Sequence, residues 1–91
     1  MNKEQFIAEL KEGRINFSGV DLSEIDLCGL DLIELDFEGA NLENVSFQGA
    51  NLSYSYLKGA NLKKVNLKGA NLEGANLEGA NLIRTNLEYA D

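Results

Sequence analysis

The chain has 91 residues, with 15 Asp plus Glu against 8 Lys plus Arg and a formal net charge of −7; this length makes one small domain. It has no His, Trp or Pro and a single Cys. That removes the usual zinc ligands, the usual base of a nucleophilic triad and any disulfide within the chain, and the acid excess argues against direct binding to a nucleic-acid backbone, which needs clustered Lys and Arg.

Residues 1–14 form a first unit. Residues 2–12 read as a short helix: Asn2 is an N-cap with Gln5 three residues on, Phe6, Ile7 and Leu10 share one face, and Gly13 is a C-terminal stop. This helix is expected to lie across the first coil of a solenoid formed by residues 15–91 and to cover its apolar end, as solenoids require. Charges run through the segment, so it is no signal peptide. Nowhere does the chain approach the roughly 20 apolar residues that span a bilayer. The expectation is a cytoplasmic protein with no membrane partner, and the lone Cys28 agrees with a reducing compartment.

Residues 15–91 form the second unit, and it is a repeat. A large apolar residue falls at every fifth position from Phe17 through Leu22, Leu27 and Leu32 to Leu87. Two residues before each central residue stands a smaller apolar one, except at Ser55 and Thr85; between the two stands Asn or Asp, except at Ser46 and Tyr56. A step of five rotates about 140° on an α-helix, so these Leu residues would spiral around it without forming a stripe. On a flat strand an odd spacing would send them to alternate faces. They stay on one side only if the chain turns a corner every five residues. Four corners close a square, and one coil takes 20 residues.

Two features of the sequence agree with a 20-residue coil. Residues 20 apart stack about 4.8 Å apart, and the columns Ser18-Glu38-Lys58-Glu78, Ser23-Glu43-Lys63-Ile83 and Cys28-Gln48-Lys68-Glu88 set each Lys beside a Glu. The column Glu24-Asn44-Lys64-Arg84 departs from this by stacking two cations. Gly recurs every ten residues from Gly19 to Gly79, with Gly74 as one extra. A type II turn needs positive φ at its second central residue, so type II turns are expected at the Gly corners and another type at the rest. The last coil, with Leu72, Leu77, Leu82 and Leu87, is expected to leave an uncovered end that Tyr89 and Ala90 close in part. Pairing of two such ends would build a homodimer.

The runs Ala40-Asn41-Leu42, Ala50-Asn51-Leu52, Ala60-Asn61-Leu62, Ala70-Asn71-Leu72, Ala75-Asn76-Leu77 and Ala80-Asn81-Leu82 carry the motif Ala-(Asn/Asp)-Leu-X-X, and residues 15–91 resemble the pentapeptide-repeat family. The resemblance implies an all-β solenoid: a right-handed quadrilateral β-helix, here of about four coils, with the central residue and the residue two before it lining the interior. The first coil departs from the family pattern, because Ile15, Val20, Ile25, Leu30 and Leu35 replace the small Ala; it should be wider or less regular.

No catalytic, cofactor or metal site is expected. Asp21, Asp26, Asp31 and Asp36 occupy the Asn slot, where a short carboxylate bonds the neighbouring turn backbone as Asx residues do. The Asp-x-Asp-x-Asp-Gly loop of a calcium site is absent, and Cys28 is an outward thiol with no cation near it in sequence. Charge is uneven along the chain. Residues 15–57 hold eight acids and no base, residues 58–68 four Lys and no acid, and residues 69–91 four acids and one Arg. Tyr54 and Tyr56 break the repeat next to this basic collar, and aromatic residues are enriched at interfaces. Tyr54, Tyr56, Lys58, Lys63 and Lys64 are therefore the candidate contact residues for an unidentified protein partner. The resulting reading is a non-catalytic interaction or structural module. The alternative comes from the resemblance, since some members of that family are acidic, DNA-shaped rods that bind type II topoisomerases. This chain shares their acid excess but lacks their added loops and C-terminal dimer helix, and carries the Lys collar.

Overall fold

A computed structural model describes residues 1–91. Helix α1, Lys3–Lys11, opens the chain. The Asn2 side chain accepts from the Gln5 N–H at 2.8 Å, Glu4 lies in the first turn and Lys11 in the last, each at the end its charge favours. Gly13, at φ +92°, ends it. The rest of the chain contains no long strand. It is joined by parallel bridges between residues 20 apart, from Asn16–Asp36 through Asn41–Asn61 to Asn66–Asn86. Each straight piece is one bridge residue long because a corner follows on either side.

The backbone bonds repeat with the same step. The Leu22 N–H donates to the Asn41 carbonyl at 2.9 Å, and the Asn41 N–H donates back to the Val20 carbonyl at 2.9 Å. At the corner the Glu24 N–H donates to the Glu43 carbonyl at 2.9 Å. Coils therefore stack by a ladder that satisfies backbone groups all round the square. The outline measures 31 × 22 × 20 Å.

Every central residue from Phe17 to Leu67 has 0 % exposure. The polar residues at the inner position keep the core satisfied in their own way. Ser55 Oγ donates to the Leu52 carbonyl at 2.7 Å, and Thr85 Oγ1 donates to the Leu62 carbonyl at 2.7 Å. At the N-terminal end, Phe6 of α1 is fully buried, with its ring 4.8 Å from that of Phe17 and 6.2 Å from that of Phe37. Met1, Ile7 and Leu10 pack, partly buried, against the same core, and the Met1 amino group donates to the Asp21 carbonyl at 3.0 Å.

The first coil is looser, as its bulky inner residues require. The bond that closes each corner, from the residue after the turn to the central carbonyl, is 2.8–3.1 Å at every corner from Ala40 to Ala90. In the first coil it lengthens to 3.3 Å at Val20 and 3.5 Å at Leu35, and it is missing at Ile25 and Leu30. Four large inner side chains in succession, Val20, Ile25, Leu30 and Leu35, widen these corners, whereas the isolated Val45 and Val65, set between Ala corners, still close theirs at 3.0 and 3.1 Å.

The corners correct one expectation. Gly and non-Gly corners do not differ in the sign of φ. Glu24, Glu34, Asn44, Tyr54, Lys64, Arg84 and Tyr89 all sit at φ between 58° and 67°, beside Gly corners at 66° to 70°. All these corners share a positive φ at this residue, and the non-Gly residues accept the left-handed conformation at a cost of about 1 kcal/mol each. The C-terminal coil supplies a second correction. Tyr89 does not close the end; it is 79 % exposed, with Leu82 at 38 % and Leu87 at 44 %.

Candidate interaction surface

The outward slot of each pentad is built by one recurring bond. The slot carboxylate or amide oxygen accepts the N–H two residues later: Ser23 to Asp21 at 2.9 Å, Cys28 to Asp26 at 3.0 Å, Ile33 to Asp31 at 3.3 Å and Glu38 to Asp36 at 2.9 Å. The Asn residues at 61, 71, 76 and 81 do the same. The acidic slots at Asp21, Asp26, Asp31 and Asp36 are thereby turn-forming groups, as the Asx reading expects. Asp21 is held below the usual carboxylate range by the Ser23 backbone and hydroxyl bonds. Asp26 is lowered by the Cys28 thiol and then by its N–H. Cys28 itself faces outward as a free thiol, 3.0 Å from Ser46 Oγ.

The five candidate contact residues do not form one patch. A ten-residue separation is half a coil, so Tyr54 and Lys64 lie at opposite corners of the square. Lys63 adjoins Lys64, whereas Tyr56 and Lys58 share the side that begins at the Tyr54 corner. Tyr54 also has a structural task that its sequence position hides. Its hydroxyl donates to Glu73 Oε1 at 3.2 Å, and the Glu73 charge, that bond and the Glu34 charge raise its pKa. Its ring lies over Gly74 on the next coil, where any Cβ would collide with ring carbons Cδ1 and Cε1. This explains the extra glycine: Tyr54 and Gly74 occupy the same column, 20 residues apart, and the aromatic ring fills the space a side chain would need. Tyr56 stands in an Asn slot with 54 % exposure and no such partner.

The stacked charges are in register, but few are in contact. Ion pairs within 4.0 Å form between Arg14 and Glu9 and between Lys68 and Glu88, the latter at 3.8 Å. Lys58, Lys63, Lys64 and Arg84 have none. A surface depression along α1 is lined by Lys3, Glu4, Ile7, Ala8 and Lys11. It is open and brings no convergent polar groups together.

Pentapeptide repeats, in eight copies, match residues 14–49, 40–79 and 60–91. The chain belongs to the pentapeptide-repeat family. Among solved structures it is similar to a pentapeptide repeat protein (Rfr23) from the cyanobacterium Cyanothece 51142, with 39 % identity, a TM-score of 0.77, and coverage of 84 % of this chain and 50 % of that one. It is similar also to alr5209, a pentapeptide repeat protein from Nostoc PCC 7120, with 29 % identity, a TM-score of 0.69, and coverage of 98 % and 74 %. The chain thus spans half the length of the Cyanothece relative. Among curated proteins none matches. Pentapeptide-repeat proteins form right-handed quadrilateral β-helices and are in general non-catalytic structural or interaction modules. No helix of this chain is long and apolar enough to cross a membrane.

Proposed function

We propose that this pentapeptide-repeat chain is a rigid interaction module, capped at residues 1–14 by α1 and built over residues 15–91 as about four coils, that binds a protein partner in the cytoplasm. The observation that carries the reading is the outer wall. Its side chains are held at fixed spacing by the slot-to-turn bonds, and the wall includes a half-exposed Tyr56 beside Lys58, which has no ion pair. A preorganised wall binds with little ordering cost. The test is affinity capture with the wild type and with Tyr56→Ala plus Lys58→Ala. Loss of a partner with the variant supports the reading, and identical partner sets count against it.

The topoisomerase-binding mimic ranks second. The eight acids and absence of bases over residues 15–57 favour it, and the third coil interrupts that acidic surface with four Lys. A supercoiling assay at micromolar protein decides it: no effect removes the mimic. For self-association, the end coil offers one route. Leu82 and Leu87 are partly exposed, whereas Leu62 and Leu67, one coil earlier, are fully buried. End-to-end pairing of two such coils would bury them.

A further inference from the structure

The geometry points to a second mode of self-association: two copies pair side by side, antiparallel, through the side formed by residues 20–24, 40–44, 60–64 and 80–84. This inference rests on the interaction-module reading but not on the end-to-end pairing. Its basis is the order of charges along the coil axis. The rungs of this side are bridged at Asp21–Asn41, Asn41–Asn61 and Asn61–Asn81, so their spacing is regular. A two-fold axis passing between the second and third coils, perpendicular to the rod, maps each column onto itself with the rungs reversed.

Under that operation the column Ser23-Glu43-Lys63-Ile83 sets each Glu43 against Lys63 of the other copy. The corner column Glu24-Asn44-Lys64-Arg84 sets Glu24 against Arg84. At the far edge, Ser18-Glu38-Lys58-Glu78 sets Glu38 against Lys58, and along the middle Asn41 meets Asn61. Two kinds of opposite-charge pair form on the side itself and a third, Glu38 with Lys58, at the corner it shares with the Tyr56 side, each twice by symmetry, and no like charges meet: Glu78 faces Ser18, and Asp21 faces Asn81. The stacking of Lys64 on Arg84, unfavourable within one chain, is partly offset here, because Arg84 meets Glu24 of the reversed copy while Lys64 meets the neutral Asn44.

The other three sides lack this property. The side carrying Asp31, Asn51, Asn71 and Asp91 would oppose Asp31 to Asp91. The side bearing Tyr56 supplies one kind of opposite-charge pair, Glu38 against Lys58, and the side bearing Lys68 none, since Lys68 faces Gln48 and Glu88 faces Cys28. The cations used are also free, since Lys58, Lys63 and Arg84 have no ion pair within the chain. Four rungs about 4.8 Å apart on a rod whose cross-section measures 22 × 20 Å offer roughly 400 Å² per copy, which belongs to the weak, transient class of interface. Being electrostatic and exposed, the pairing is salt-sensitive.

The experiment is sedimentation equilibrium of the 91-residue chain. At low salt and concentrations up to about 1 mM, a range suited to weak interfaces, the mass rises from the 10.0 kDa monomer toward twice that value. Raising salt to about 0.5 M weakens association by at least tenfold. The variants Lys58→Glu plus Lys63→Glu and Glu38→Lys plus Glu43→Lys each remain monomeric, and an equimolar mixture of the two associates again. Leu87→Lys, a partly exposed position of the last coil, changes nothing. Circular dichroism shows whether each variant is folded; all of these reversal positions face outward. A strict monomer at low salt overturns the pairing while leaving the affinity capture to judge the module reading. Failure of the folded mixture to associate, or loss of association in Leu87→Lys, overturns it equally.

Discussion

Gly74 offers a quantitative test of how tightly one coil dictates the next. Gly74 and Gly79 share nearly the same backbone, at φ +68° and +70°. Their surroundings differ: a Cβ on Gly79 has no neighbour nearer than the Gly59 nitrogen at 3.9 Å, whereas one on Gly74 meets the Tyr54 ring. Gly79→Ala therefore costs only the left-handed conformation, about 1 kcal/mol. Gly74→Ala costs the same plus displacement of the ring, which breaks the Tyr54–Glu73 bond and the ring's packing for about 1–2 kcal/mol more. For a domain of this size each kcal/mol moves the melting temperature by about 4–8 °C. Gly74→Ala should thus melt at least about 4 °C below Gly79→Ala in thermal denaturation followed by circular dichroism. In a Tyr54→Ala background the extra cost disappears, and the double-mutant cycle reports it as a coupling of about 1–2 kcal/mol. Equal melting temperatures for the two glycine variants, or a Gly74→Ala cost that Tyr54→Ala leaves unchanged, would refute the reasoning.

Three further outcomes are expected. Phe6→Ala empties the site between α1 and the rings of Phe17 and Phe37 and costs about 3–5 kcal/mol, read by denaturant titration. Glu34→Gly relieves a left-handed residue at φ 61° and leaves stability unchanged or raises it by up to about 1 kcal/mol, measured the same way; a loss beyond that range counts against strain at the non-Gly corners. Asp21 and Asp26 have lowered pKa values in the folded state, so their contribution is present above the unfolded value of about 4 and is lost as pH falls through the folded values. Asp21→Asn plus Asp26→Asn keeps an oxygen acceptor in each slot, so its thermal stability falls less than that of the wild type between neutral and acid pH.

Much of the architecture was legible because one physical rule, apolar side chains inside, acts fifteen times on an uninterrupted period. The coil length, the inward central residues, the Asn2 cap, the slot-to-turn bonds of the acidic first coil and that coil's looseness all follow from residue identity at fixed offsets. Turn conformation did not follow in the same way. Glycine frequency reflects local preference, but the stacked ladder imposes one positive-φ corner on Glu24 and Lys64 as firmly as on Gly59. The candidate contact residues are near one another in sequence, but a coil that turns every five residues separates Tyr54 from Lys64 by half a circuit. The partnership of Tyr54 with Gly74 carried a signal, an extra glycine 20 residues after an unexpected tyrosine, but its meaning depends on the ring leaning along the axis.

Hydrogen-bond couplings measured by NMR in the isotope-labelled chain test the 20-residue coil most directly. The geometry predicts a through-bond coupling from the Leu22 amide to the Asn41 carbonyl and from the Asn41 amide to the Val20 carbonyl, repeated along the chain at the same offsets. Couplings from these amides to carbonyls four residues earlier, or to carbonyls at another constant offset, would contradict it.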